Sequence, residues 1–188
     1  MISNDKKVLW IHQNLVTPKQ PGNSRPAQII NSLNKNGWNI HVITSQTGYM
    51  GQGDGYKEPG TLESQNGITL ERLNTGQKYS NINSRGRSYL DFMKKAFFPA
   101  IRVEKVDVIY ASTPPSIQLL LSMFISILRN KPFVLEVRDL WPSYLWECEL
   151  IKSKSLNSIL EFIESFSIYF ASSIIVVSPP YLPYIRSF

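Results

Sequence analysis

An α/β chain, built on a largely parallel sheet of at least six strands with helices on both faces, is the fold class this sequence predicts. Three observations predict it. Short runs rich in Val, Ile and Leu alternate with longer segments of helical period, and that alternation is the mark of a parallel sheet with crossover helices. Gly, Pro and Asn cluster between the runs. The 188 residues are 43% hydrophobic and 18% charged, enough apolar surface for a folded core of one substantial domain.

Val8–Ile11 reads as the first strand. The loop 21–26 (PGNSRP) then carries helix-start signals, with Ser24 as a possible N-cap and Pro26 in the first turn. That helix runs through Ile29, Ile30 and Leu33 and stops near Asn36-Gly37. Ile40–Thr44 is the second strand. Residues Thr47 to Asn66 are polar and rich in glycine, without period, and read as one long loop. Ile68–Leu73 is the third strand. A helix covers about Arg85 to Ile101, with Pro99 expected to kink or end it. Val106–Ala111 is the fourth strand, Ile117–Leu128 a helix and Phe133–Val137 the fifth strand. Leu156–Phe170 is a helix whose apolar stripe is Ile159, Phe162, Ile163 and Phe166, and Ile174–Val177 is the sixth strand.

The formal net charge of +6 favours an anionic partner, although many globular chains are mildly basic. Cys148 is the only cysteine, so no disulfide closes within the chain. With only His12 and His41 beside it there is no Cys/His zinc set, and a reducing cytoplasmic setting fits. The first residues, MISNDKKVLWIHQNLV, lack the features of a signal peptide. The most apolar stretch, Ile117 to Leu128, is too short to span a bilayer, which takes about 20 residues.

In open parallel sheets ligands bind at the carboxyl ends of the strands. Here those ends read His12-Gln13, Thr44-Ser45, Ser112-Thr113, Arg138-Asp139 and Ser178, all polar. Asp139 is able to orient or deprotonate an acceptor hydroxyl, or to cap the turn Leu140-Trp141-Pro142. Arg138 suits phosphate or carboxylate, or an ion pair with Glu136. The loop Gly22-Asn23-Ser24-Arg25 opens a helix directly after a strand. Its free N–H groups and Arg25 make an anion site, against the plainer reading of an ordinary turn that needs Gly22. His12 is able to donate to a sugar or phosphate, or simply to pack. The segment 85–105 holds six Lys/Arg against two acids, with Tyr89, Phe92, Met93, Phe97 and Phe98 interleaved. Arg85, Arg87, Lys94 and Lys95 then suit a membrane surface, unless the helix packs on a core with a solvated basic side. Glu63 and Glu71 are set apart as a loop residue and a strand residue. No nucleic-acid recognition motif is present.

Taken in order, the pieces WIHQNLVTPKQPGNSR, NKNGWNIHVITS, NGITLERL, VDVIYASTPPS, KPFVLEVRDLWP and ASSIIVVSP resemble the N-terminal half of glycosyltransferase family 4, the GT-B architecture, of the type that builds capsule, O-antigen and exopolysaccharide. The resemblance implies that residues 1–188 are one Rossmann-like acceptor-binding domain, and that the C-terminal nucleotide-sugar domain is absent from the chain. It implies retaining transfer from a nucleotide-sugar, a co-substrate, to a glycan or lipid-linked acceptor at the inner face of the cytoplasmic membrane. No cofactor and no metal are implied. Gly22 and Asn23 stand where relatives have a Gly-Gly pair, Arg25 matches an arginine after that loop, and Asp139 stands where relatives place an active-site histidine or acid. His12, Ser24, Ser112, Thr113 and Arg138 are the further candidates for substrate binding. A GT-B cleft needs both walls, so the isolated chain is expected to transfer sugar negligibly. A binding module of a split transferase, working with a partner chain, is the alternative.

Overall fold

The computed structural model describes residues 6–15, 24–46, 62–75 and 82–188, without the side chains of 82 and 83. Gly22, Asn23 and the stretch from 47 to 61 lie outside the described residues. The chain divides into two compact units, Met1–Asp107 and Val108–Phe188.

In the first unit the described elements are β1 (Lys7–Ile11), α1 (Arg25–Lys35), β2 (Asn39–Ser45), β3 (Leu62–Gln65), β4 (Ile68–Leu73) and α2 (Ile82–Arg102). The strand order is β3-β4-β2-β1. β1 and β2 run parallel in register Val8↔Ile40, and β2 and β4 run parallel in register Ile40↔Ile68. The parallel strands β1 and β2 carry the buried apolar runs expected of a sheet covered on both faces: Val8, Leu9, Trp10, Ile11, Ile40, Val42 and Ile43. Helix α1 ends where Asn36-Gly37 predicts. Gly37 takes φ +85°, its N–H bonds to Asn34 O at 2.9 Å, and Trp38 N–H bonds to Leu33 O at 3.1 Å. That pair of bonds is a Schellman cap, which glycine adopts without steric penalty.

Three expectations need correction in this unit. The long loop is shorter than predicted, because Leu62–Gln65 forms β3 and pairs antiparallel with β4. The sheet is therefore mostly rather than wholly parallel. The turn between them is Asn66-Gly67, with φ +50° and +81°, the two-residue type I′ connection that Asn-Gly favours. It also puts Glu63 in a strand rather than a loop, ion-paired to Arg72 at 3.4 Å, while Glu71 meets His41 at 3.0 Å. Finally, Pro99 does not end α2, which continues to Arg102, with Val103 N–H bonded to Pro99 O at 3.3 Å. Buried Tyr89, Phe92, Ala96, Ala100 and Val103 recur at helical spacing, and the helix packs on β1, β2 and β4. That packing outweighs the one hydrogen bond a proline removes.

The second unit holds β5 (Val108–Ser112), α3 (Ile117–Arg129), β6 (Phe133–Val137), α4 (Trp141–Glu147), α5 (Lys154–Phe170), β7 (Ser173–Val176) and, after a short 3₁₀ turn, α6 (Leu182–Arg186). The strands run parallel in the order β5-β6-β7. Helix α3 ends on Asn130 at φ +50°, with Lys131 N–H on Ser126 O and Asn130 N–H on Ile127 O, and Pro132 follows. This is a second Schellman cap, with asparagine in the left-handed place. Helix α4 is an addition to the sequence reading, and its N-cap position is Leu140, not Asp139.

Helix α5 corrects the predicted stripe. Asn157, Leu160, Ile163, Glu164, Ser167 and Ile168 face inward, whereas Ile159 and Phe162 are 56% and 66% exposed. The polar members tolerate burial because they are bonded. Asn157 Nδ2 donates to Glu161 Oε1 at 2.8 Å and Ser167 Oγ donates to Ile163 O at 2.7 Å. Leu160 and Ile163 pack with Leu145 and Ile151 in one apolar cluster, against Leu120 and Trp141. Across the chain, seven mostly parallel strands flanked by helices make a Rossmann-like α/β architecture. No helix among the described residues is long and apolar enough to cross a membrane.

Candidate functional site

Each unit gathers polar side chains at the carboxyl ends of its strands. In the first unit His12 and Gln13 follow β1, Thr44 and Ser45 end β2, and all four are buried. The His12 N–H bonds to Ile43 O at 3.0 Å, continuing the ladder past the strand, and the His12 ring lies 5.8 Å from Trp10 in a tilted pair. Thr44 Oγ1 donates to Gln13 O at 3.0 Å and accepts from Leu15 N–H at 3.3 Å. Gln13 Nε2 donates to Ser88 Oγ at 2.9 Å, which ties the β1 end to α2, and Ser45 Oγ donates to Thr75 O at 2.7 Å. Ser88 had no signal in the sequence beyond its place on the inward face of α2. Ser24 sits at the N-cap of α1 as expected, but its hydroxyl caps no N–H; it accepts a long bond from Gln28 Nε2 at 3.5 Å. Arg25 is exposed at the first position of that helix.

In the second unit Ser112 and Thr113 are fully buried at the end of β5. Thr113 acts as a staple between neighbouring strand ends. Its N–H bonds to Glu136 O at 2.9 Å, its Oγ1 accepts from Arg138 N–H at 3.0 Å, and the same oxygen donates to Asp139 O at 3.2 Å. The backbone of Arg138-Asp139 is thereby fixed, while the Asp139 side chain is exposed and Arg138 half-buried. Ser112 O accepts from Gln118 Nε2 at 3.1 Å, holding the start of α3 to the strand. Among the described residues Arg138 forms no ion pair with Glu136, which is itself fully buried on β6. The three charges between Glu136 and Asp139 thus divide: Glu136 is fully buried, and Arg138 and Asp139 emerge at the mouth of the unit.

Behind that mouth lies a carboxyl that the sequence reading passed over. Glu164 of α5 is fully buried, accepts from Tyr184 OH at 3.0 Å and from Ser116 Oγ at 3.5 Å, and receives the Trp141 N–H. Burial pushes its pKa up to about 7 despite those three donors. Burial, with the nearby Glu164, also pushes the Tyr184 hydroxyl well above its ordinary value. Tyr144, exposed on α4, is raised by a side-chain hydrogen bond with Cys148 one turn on.

Of the membrane candidates, Arg87, Lys94 and Lys95 are exposed on α2 and Arg85 is half-buried. Lys95 Nζ is already engaged, donating to Asp91 Oδ2 at 3.0 Å and to Asn74 O at 2.7 Å. Two of the interleaved aromatics, Tyr89 and Phe92, belong to the core of the first unit, whereas Phe98 is 62% exposed.

No family model matches the chain, and no curated protein matches it. Among solved structures it is similar to sucrose-phosphate synthase from Thermosynechococcus elongatus, with a TM-score of 0.63 and 15% sequence identity. The match covers 97% of this chain and 45% of the synthase, so the chain spans less than half the length of that protein. At this identity the likeness establishes the fold: nearly the whole chain follows the Rossmann-like architecture of part of a glycosyltransferase.

Proposed function

We propose that the chain is the acceptor-side domain of a retaining glycosyltransferase of the family 4 type, which moves a sugar from a nucleotide-sugar to a lipid-linked glycan in bacterial surface polysaccharide synthesis. The observation that carries the reading is the pair Arg138-Asp139, held at a strand mouth by the Thr113 staple within a fold shared with a glycosyltransferase. Arg138 would hold an acceptor phosphate bidentately, and Asp139 would orient the acceptor hydroxyl or take its proton. Arg25, at the start of α1 with Ser24, would offer the first unit's own charge to a substrate phosphate. Gly22 and Asn23 would complete that loop. His12 in the first unit, and Ser112 and Thr113 in the second, being buried, would each support the strand ends of their own unit from behind rather than meet substrate directly. No cofactor is called for, and the donor would sit mainly on a nucleotide-sugar domain outside this chain.

The test is binding, because the chain alone is expected to transfer nothing measurable. Titration with a short-chain polyprenyl-pyrophosphate-linked N-acetylglucosamine should perturb the NMR signals of Arg138 and Asp139. Arg138→Ala should weaken binding by a factor of 10 or more, about 1.4 kcal/mol. Turnover of a nucleotide-sugar by the isolated chain, or binding that ignores Arg138→Ala, would contradict the reading.

The exposed basic side chains of α2 favour a second reading, a non-catalytic module that binds acceptor or membrane and works with a partner chain. Salt-sensitive binding to vesicles containing anionic lipid, lost on reversing Arg87 and Lys94, would support membrane contact at the inner face of the cytoplasmic membrane. Co-purification of a second Rossmann-like polypeptide would support the split form.

A further inference from the structure

The second unit contains a buried junction that no part of the proposed chemistry uses. Four elements meet at the carboxyl of Glu164. Ser116 comes from the loop between β5 and α3, the Trp141 N–H from the first residue of α4 where the β6–α4 loop ends, Tyr184 from α6, and the carboxyl itself from α5. The first two loops are the ones that bear Thr113 and Asp139. Ser116 stands at the N-cap position of α3, yet its hydroxyl caps no helix N–H and is directed to Glu164 instead. Leu140, at the N-cap of α4, has no side-chain acceptor to offer, and the Glu164 carboxyl receives the N–H of Trp141, one of the first-turn donors of that helix. The acid is fully buried, and so is Ser116.

We propose that Glu164 is a positioning residue: its carboxyl couples the β5–α3 loop to the β6–α4 loop and to α6, and so sets the placement of Asp139 at the strand mouth. Calling it a positioning residue rests on the transferase reading; the coupling of the loops does not. The geometry makes the coupling responsive to proton binding. Above neutrality the carboxyl is charged and accepts all three bonds, but it is fully buried. Below neutrality it is neutral, and one of its oxygens turns from acceptor to donor. One proton therefore reverses the bond at that oxygen and weakens those the other oxygen accepts, so the loops and α6 feel the same titration. The titratable groups that bear on it are Tyr184 from α6 and Glu161 one turn back on α5; the loops contribute Ser116 and a backbone N–H, which carry no charge.

Amide NMR across pH 5.5–8.5 tests this without any ligand. In the native chain the signals of Ser116, Asp139, Trp141 and Tyr184 should shift together with one midpoint near 7. Glu164→Gln should flatten that shared titration while the rest of the spectrum stays dispersed. Tyr184→Phe removes a donor to the charged form, so it should move the shared midpoint up by about half a unit or more. It also serves if Glu164→Gln does not fold. Flat signals in the native chain, a titration that survives Glu164→Gln, or a midpoint that ignores Tyr184→Phe would each overturn the proposal. Binding of the polyprenyl-pyrophosphate-linked N-acetylglucosamine separates the two readings. If it binds, its pH dependence near neutrality should disappear in Glu164→Gln, and persistence would exclude the positioning role. If it does not bind while the loops titrate as stated, the transferase reading fails and the loop coupling stands.

Discussion

Helices α2 and α5 are both amphipathic and both rich in aromatics, yet they use them in opposite ways. Helix α2 turns Tyr89 and Phe92 into the first unit and displays lysine and arginine. Helix α5 turns a glutamate, a serine and an asparagine inward and leaves Phe162 outside, stacked on Phe166 at 5.6 Å, with Phe166 tilted against Phe170 at 4.7 Å. The difference teaches that the inward face is chosen by the partners open to its polar groups as well as by its hydrophobicity. A polar group enters when partners await it.

Substitutions on the two helices can break this contrast. The largest effect is expected at Phe92, fully buried, where Phe92→Ala should destabilise the chain by about 3–5 kcal/mol in urea unfolding. A loss under about 1 kcal/mol would deny that α2 is a core helix. Next comes the buried acid of α5. Its carboxyl is raised from an ordinary 4.5 to about 7, so the folded chain binds that proton more tightly than the unfolded chain does. The stability it contributes is complete below about 4.5 and is lost as pH rises through about 7. Between those limits native stability should fall by on the order of 3 kcal/mol relative to Glu164→Gln. Parallel pH curves for the two proteins would remove the raised carboxyl from the account. A smaller change is expected at Ser153, whose Oγ accepts from Leu156 N–H at 3.3 Å at the start of α5; Ser153→Ala should cost about 1 kcal/mol. The smallest is at Phe162, where Phe162→Ala should stay within about 0.5 kcal/mol because the ring is largely exposed. A loss approaching that of Phe92→Ala would mean that the outer face of α5 is covered in solution.

The alternation of strand and helix was legible because it is written in local period and punctuation. Asn36-Gly37 marks a real cap, and the buried runs of β1 and β2 are mostly Val, Ile and Leu. The β3–β4 hairpin was written too, in Asn66-Gly67, but the polar run Glu63-Ser64-Gln65 before it reads as loop. Only an edge strand tolerates such composition. The orientation of α5 was not legible. Period locates two competing stripes on that helix, and the choice between them depends on Ser116, Trp141 and Tyr184, which are distant in sequence. The strand-end residues were all found by position, since a parallel sheet dictates where polar groups collect. Their roles were not: nothing local says that the Thr113 hydroxyl bonds to the backbone of the next strand, or that Asp139 leaves the N-cap position to Leu140.

The hairpin turn has a consequence for the behaviour of the chain in crowded solution. A parallel strand such as β4 would offer a row of open amides and carbonyls to any passing extended segment. The tight Asn66-Gly67 reversal folds the chain's own neighbouring residues over that row, and the covering strand is only four residues long, with Glu63, Ser64 and Gln65 along it. Short length and polar side chains make a poor template for further strands. Gly67 has no room for more: a Cβ there would stand 2.6 Å from Asn39 Oδ1, at a φ of +81° that side chains seldom adopt. One glycine thus guards this edge of the sheet against recruiting other molecules into it.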